Sequence, residues 1–215
     1  MKRFMVIVTI IISLVTAANA YAQEGSYSIG VKAGLFSPNS EVYENSLLGY
    51  GTGLNIGAAF GYKVVPNLMI EAGVSRYSSE RKGKNETSTV SVIPITLTPK
   101  VIVPLGDGKV EVFGGLGLGY YLASAKLEWE EEKPDKEEET IKESVSMDGS
   151  GIGFHFVGGG DFQVSKNIAL GLELKWFSVK PELEGEVKVG KETTIIKMKA
   201  NYGGIIFNVV GKYRF

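Results

Sequence analysis

The residues with the most chemical potential in this sequence are ionisable side chains that stand inside otherwise apolar stretches. They are four carboxylates, four basic groups and the single histidine: Glu71, Lys100, Glu111, His155, Asp161, Glu173, Lys175, Lys212 and Arg214. Paired carboxylates could perform general acid–base chemistry or pass protons. Because both signs of charge are present in similar number, mutual neutralisation in a buried polar network is the simpler interpretation.

Two further features could bind ions or catalyse a reaction. His155 would need a nucleophile and an acid beside it for catalysis, and its sequence neighbours are Phe154 and Phe156. We therefore interpret it as a member of the polar network. The run from Glu128 to Glu143 contains nine acids and three lysines and could bind divalent cations or a basic partner. It lacks the Asp-x-Asp-x-Asp-Gly spacing of a calcium loop, so a solvated loop is the simpler interpretation.

The sequence predicts neither a cofactor nor a metal site. The alternating glycines Gly115, Gly117 and Gly119 superficially suggest nucleotide binding, but the required third motif glycine is replaced by Tyr120 and no helix is predicted to follow. Without its first 22 residues the chain has a net charge of about −3, which gives no clustered basic face for nucleic acid. Nucleic acid is therefore not an expected partner.

Strands must position the charged residues, because apolar and polar side chains alternate with a period of two in eight segments. These segments are residues 26–35, 53–62, 68–77, 90–103, 109–122, 151–164, 168–179 and 199–215. The charged residues fall on the polar face of these segments. Pro94 and Pro99 remove backbone donors from the fourth segment, which predicts a bulge or a local break in pairing.

The connections between these segments alternate between short and long. Short breaks follow the second, fourth and sixth segments, whereas long loops are predicted at residues 36–51, 78–89, 123–150 and 180–198. An up-and-down barrel with these connections has all its short turns at one end, together with both termini. The sequence therefore predicts an all-β, eight-stranded antiparallel barrel with the loop pattern of transmembrane outer-membrane barrels.

The N-terminus carries an export signal. Lys2 and Arg3 precede an apolar run from Phe4 to Val15 and then small residues, which predicts a signal peptide cleaved after Ala22. A cut after Ala20 is the competing site, and a membrane anchor is the alternative, although the apolar run is shorter than the roughly 20 residues that a spanning helix needs. We expect two regions, a signal peptide over residues 1–22 and one barrel domain over residues 23–215.

Alternation alone fits a membrane barrel and also a soluble lipocalin-like barrel, but the C-terminus favours the first. Counting back by twos from Phe215 gives Tyr213, Gly211, Val209 and Phe207. This ending resembles the C-terminal signature of bacterial outer-membrane proteins, which implies that Tyr213 and Phe215 form a signal for the barrel assembly machinery. Aromatic residues near strand ends would fit interfacial girdles, namely Tyr27, Tyr62, Tyr77, Tyr120, Phe162 and Trp176.

Three stretches, residues 112–121, 153–177 and 211–215, resemble the small outer-membrane barrel superfamily that includes the OmpX, Ail and OmpW groups. The resemblance implies a monomer in outer-membrane lipid, assembled with periplasmic chaperones and the barrel assembly machinery. The leading functional hypothesis is a non-enzymatic protein that interacts through long extracellular loops. An OmpW-like channel for small hydrophobic molecules is the alternative. A barrel enzyme acting on lipid is a third, but His155 lacks the His-x-Ser arrangement of a barrel deacylase.

Overall fold

The structure, a computed structural model, describes residues 27–38, 52–82, 86–132, 140–189, 192–199 and 202–215. The regular elements of these residues are ten β-strands. They are β1 (Tyr27–Pro38), β2 (Gly53–Val65), β3 (Leu68–Lys82), β4 (Glu86–Leu105), β5 (Val110–Glu132), β6 (Thr140–Gln163), β7 (Ile168–Val179), β8 (Glu182–Val189), β9 (Glu192–Lys199) and β10 (Tyr202–Arg214). Among the described residues, no helix has the length and apolar character to span a membrane.

Eight of these strands close into a barrel. Strands β1 to β6 each pair antiparallel with the next strand in the chain, and β10 pairs with both β7 and β1. Closure leaves no unpaired edge within the barrel, so every strand finds hydrogen-bond partners on both sides. The predicted eight-stranded up-and-down architecture is confirmed.

The apolar side chains cover the outside of this barrel and the charged side chains fill its lumen. On β7, for example, Leu172 is 52% exposed whereas the adjacent Glu173 is 0% exposed. The same alternation holds on the other barrel strands, with exposed aliphatic residues such as Val31, Ile56 and Leu118. A soluble barrel would bury this apolar face and expose the charges, so the structure decides between the two arrangements in favour of a lipid-facing one.

Three of the four predicted long loops are largely β-structure, which corrects that prediction. Lys82 pairs with Thr87, Glu132 pairs with Thr140, and β8 pairs with β9 from Glu182↔Lys199 onwards. These hairpins lie beyond the apolar band, where water reaches both faces of a strand and no period-two apolar pattern is required. In the fourth loop, β1 continues to Pro38, and residues 39–51 lie outside the described residues.

The β8–β9 hairpin is an addition to the sheet outside the barrel. Strand β6 pairs with β7 over Gly153–Gln163 and with β8 over Met147–Ser150. The change of partner follows the break at residues 180–181 between β7 and β8. The result is a tall wall on one side of the barrel, built by β3 to β6, β8 and β9, which we call the projecting sheet.

The two prolines of β4 interrupt pairing without changing its register. Between β3 and β4 the ladder is broken beside Pro94, from Val74↔Ile95 to Tyr77↔Val92. Between β4 and β5 it is broken at Pro99, from Leu97↔Leu118 to Lys100↔Gly115. The register is the same on both sides of each gap, so these are the predicted local breaks and not bulges.

The aromatic residues that were expected in interfacial girdles divide between the two faces of the barrel. Tyr62, Tyr120, Phe162 and Trp176 are exposed on the outer face, and Tyr27 stacks there on Tyr62 with ring centroids 5.0 Å apart. Tyr77 was assigned wrongly: it is 1% exposed and packs inside the barrel. It lies on the inward register of a strand that continues to Lys82, so it is not at a strand end.

Candidate functional site

The centre of the lumen holds two carboxylates that share two lysines. Lys32 Nζ lies 2.8 Å from Glu71 Oε1 and 2.8 Å from Glu173 Oε2. Lys100 Nζ lies 2.8 Å from Glu71 Oε2 and 2.9 Å from Glu173 Oε2. All four side chains are at most 7% exposed. This central ion cluster ties β1, β3, β4 and β7 together across the lumen.

Two asparagines complete the central ion cluster. Asn208 Nδ2 donates to Glu173 Oε1 at 3.3 Å, and Asn55 Nδ2 donates to Asn208 Oδ1 at 2.7 Å. The chain of contacts therefore extends to β2 and β10. Because buried charges are costly unless their remaining hydrogen-bonding capacity is met, these amides stabilise the ionised form of the cluster.

A second ion cluster lies nearer the end of the barrel with the short turns. Lys212 Nζ lies 2.6 Å from Asp161 Oδ2, and Arg214 is paired with Glu111. Lys63 Nζ lies 3.1 Å from Glu111 Oε1. Lys63 has the most exposed side chain of this group, at 23%, so water reaches this cluster more readily than the central one.

Phe113 lies between the two ion clusters. Lys100 Nζ and Lys212 Nζ lie 4.6 and 4.7 Å from the centroid of its ring, a cation–π geometry. Three other buried apolar residues form a small cluster with it, namely Met69, Ile102 and Val157. One aromatic ring therefore contacts a lysine from each ion cluster.

Towards the projecting sheet, the lumen is filled by aromatic rings. The rings of Phe36, Tyr77, Tyr121 and Phe177 pack together with centroid separations of 4.7 to 5.8 Å, and none is more than 3% exposed. The same cluster includes smaller buried residues: Val90, Val92, Ala123, Ala125, Val179, Leu183, Tyr202 and Ile206. We call this the aromatic layer, and it fills the lumen above the central ion cluster.

His155 has only part of a catalytic arrangement. Its Nε2 lies 2.8 Å from Thr98 Oγ1, as in a nucleophile–base pair. Its Nδ1 is buried and has no hydrogen-bond partner, so no carboxylate orients the ring. The ring lies over Gly117, where a Cβ would overlap it. Within the described ranges, no group of three potential ligands could hold a metal ion.

Lys175 departs from the neutralisation that the sequence predicted for it. It occupies the inward register of β7, between Glu173 and Phe177, and is neither fully buried nor fully exposed. It makes no hydrogen bond or ion pair with any residue that the structure describes. The Glu173 carboxylate beside it is occupied by Lys32, Lys100 and Asn208.

Sequence reasoning missed five residues of the luminal network: Lys32, Asn55, Lys63, Thr98 and Asn208. Lys32 alternates with the apolar residues of the first predicted strand and could have been found from that register. Asn55 and Asn208 also lie on polar faces, but nothing in the sequence indicates that they meet. Their positions are separated by 153 residues and are brought together only by barrel closure.

The acidic run begins in the last residues of β5 and ends in the first residues of β6, and residues 133–139 lie outside the described residues. Lys126 forms an ion pair with Glu128 at its start. The side chains of residues 129–144 are not among those that the structure describes. The prediction that this run binds cations or a basic partner falls on these side chains and stays a prediction.

We predict that Glu173→Gln lowers the free energy of unfolding by about 3 kcal/mol, because two buried lysines are left sharing one carboxylate. The matched control is Glu184→Gln, since Glu184 pairs with Lys197 on the exposed β8–β9 hairpin and exposed pairs contribute little. Urea unfolding in phospholipid vesicles would measure both. Equal stability of the two variants would contradict the central role of Glu173.

Comparison with known proteins agrees with this architecture. Solved structures with this fold include Neisserial surface protein A, with a TM-score of 0.56 and 16% identity over 91% of this chain and 100% of that one. OprG from Pseudomonas aeruginosa has a TM-score of 0.54 and 13% identity over 90% of this chain and 99% of that one. A major outer membrane protein from Thermus thermophilus has a TM-score of 0.60 and 13% identity over 88% of this chain and 98% of that one. None of the curated proteins compared with the chain matches it. The family model for the outer membrane protein beta-barrel domain matches residues 7–214. The chain therefore belongs to the outer membrane protein beta-barrel family, and its place is the bacterial outer membrane, with the apolar face of the barrel in lipid.

Proposed function

We propose that this protein is a non-enzymatic outer-membrane barrel that interacts with the cell's surroundings through its extracellular projecting sheet. The observation that carries the proposal is the filled lumen combined with the length of the hairpins. Strands β5 and β6 contain 23 and 24 residues, whereas crossing a bilayer takes about 9–11 residues. The surplus of about 12 residues, at about 3.3 Å each, gives each strand roughly 40 Å of additional length.

The arrangement of luminal side chains supports a non-enzymatic role. His155 and Thr98 are the only nucleophile–base pair among the contacts of the described residues, and both side chains are buried. The pair has no acid on Nδ1. A substrate would have to displace the aromatic layer or the central ion cluster to reach it. The side chains of both layers are buried, so the pair is a structural contact in this proposal.

A channel for small hydrophobic molecules is the second candidate, and one observation favours it. The wall of the barrel lacks ladder pairing between β3 and β4 beside Pro94, and the flanking pair there is Tyr77↔Val92. Both residues belong to the aromatic layer. A weak seam in the wall next to an apolar interior is where a lateral path from lumen to lipid would open.

We predict that the purified protein in planar bilayers shows no stepwise conductance, because the ion clusters and the aromatic layer fill the lumen. Vesicles containing the protein should also take up a small apolar dye no faster than protein-free vesicles. Pro94→Ala, which restores a backbone donor at the seam, serves as the comparison. Dye uptake by the wild type that falls in Pro94→Ala would contradict the leading proposal and support the channel.

We further propose that residues 1–22 are removed on export and that the mature barrel is a monomer, delivered by periplasmic chaperones and assembled by the barrel assembly machinery. The intact mass of the outer-membrane form would show whether the chain begins at Gln23. In the structure, the backbone N–H of Phe215 donates to Tyr27 O at 3.0 Å, and the rings of Tyr213 and Phe215 lie 5.0 Å apart. The first and last strands of the barrel therefore meet beside the proposed assembly signal.

We predict that Phe215→Ala reduces several-fold the amount of folded protein in the outer membrane, because the terminal aromatic side chain is lost while its backbone hydrogen bond is kept. Phe162→Ala is the control, since Phe162 is also an outward phenylalanine, 53% exposed, near the end with the short turns. Heat-modifiable migration on gels would quantify the folded form. Equal yields from both variants would show that Phe215 has no special role in assembly.

A further inference from the structure

The central part of the lumen contains more positive than negative charge. Lys32, Lys100 and Lys175 lie on its inward registers, facing the carboxylates of Glu71 and Glu173. Lys32 and Lys100 each pair with both carboxylates. Asn208 also donates a hydrogen bond to Glu173. One ammonium group, that of Lys175, is left without a counter-charge in hydrogen-bonding contact. An excess ammonium group in a barrel interior favours an additional anionic partner.

A second unpartnered polar group faces the same region. His155 is 0% exposed, and its Nδ1 makes no hydrogen bond. When the Thr98 hydroxyl donates to Nε2, the proton of the neutral ring lies on Nδ1, which makes that atom a donor. Both unsatisfied groups, the Lys175 ammonium and the Nδ1–H of His155, are then hydrogen-bond donors without an acceptor.

The register of β6 and β7 places these two donors together. His155 is opposite Phe177, and Val157 is opposite Lys175. His155 and Lys175 are therefore diagonal neighbours on the inner face, with Cβ atoms on the order of 7 Å apart. Lys175 is partly accessible although it faces inward, so there is open space beside it for at least a water-sized group. The absence of a side chain at Gly117 leaves room for the imidazole ring on the other side.

We propose that the lumen binds a small inorganic anion of the size of chloride or bromide between Lys175 Nζ and His155 Nδ1. The anion supplies the missing negative charge and accepts from both donors. A water molecule could satisfy Nδ1, but it would leave the lysine charge uncompensated. The neighbouring Glu173 carboxylate does not exclude an anion, because Lys32 and Lys100 already neutralise it together with Glu71.

The direct test is crystallographic and uses bromide as the probe. Crystals of the outer-membrane form grown in sodium bromide should show an anomalous scattering peak between Lys175 Nζ and His155 Nδ1. The peak should vanish in Lys175→Met and remain in Lys63→Met, which removes a luminal cation that pairs with Glu111 near the barrel end. Ordered water without anomalous signal at this position in the wild type would overturn the proposal.

A solution measurement gives an independent result that needs no crystals of a variant. The urea unfolding midpoint of the wild type should rise when bromide replaces gluconate at constant ionic strength, because an anion bound only to the folded state stabilises it. Lys175→Met should lose this shift and Lys63→Met should keep it. A bromide-independent midpoint in the wild type, or a shift of unchanged size in Lys175→Met, would show that no such site exists.

Discussion

Glu173 and Glu71 share two lysines in the middle of a barrel whose outer surface is apolar, and much of the remaining architecture follows from that interaction. Four charged side chains cannot be desolvated singly, so the strands that carry them must close around a common centre. Lys32 and Glu173 are 141 residues apart in the chain and meet at 2.8 Å. The first and seventh strands are thus connected through the lumen as well as through β10.

Closure and charge placement constrain each other. A barrel in lipid needs an outer face free of charge, and its inner face then receives the polar residues of each strand. With eight strands the interior is just wide enough to be filled by side chains. In this chain the filling is layered, with the aromatic layer towards the projecting sheet, the central ion cluster below it, and Phe113 leading to the second cluster. With the lumen filled in this way, the projecting sheet is the part of the protein that large molecules can reach.

The barrel strands could be predicted from the sequence because lipid on one side and polar packing on the other impose a period of two. The same reasoning missed β8 and β9 and the outer parts of β3 to β6, because no such contrast exists where water surrounds a hairpin. Tyr77 was misplaced for the same reason, since the true end of β3 could not be seen. The polar register predicted which residues face inward, but not their partners: Lys175 was expected to be neutralised, whereas Lys32, which was not singled out, completes the central ion cluster.

The claim that the apolar face lies in lipid and the charges lie within can be tested at one residue. The chain has no cysteine, so a nitroxide attached to Leu172→Cys reports on that site alone. In phospholipid vesicles we expect frequent collisions with oxygen, which concentrates in the bilayer, and few with a water-soluble nickel chelate. Exclusion of both collision partners would mean that Leu172 is packed in a protein core, and free access of the nickel chelate would mean that it faces water. Either result would contradict the orientation described here.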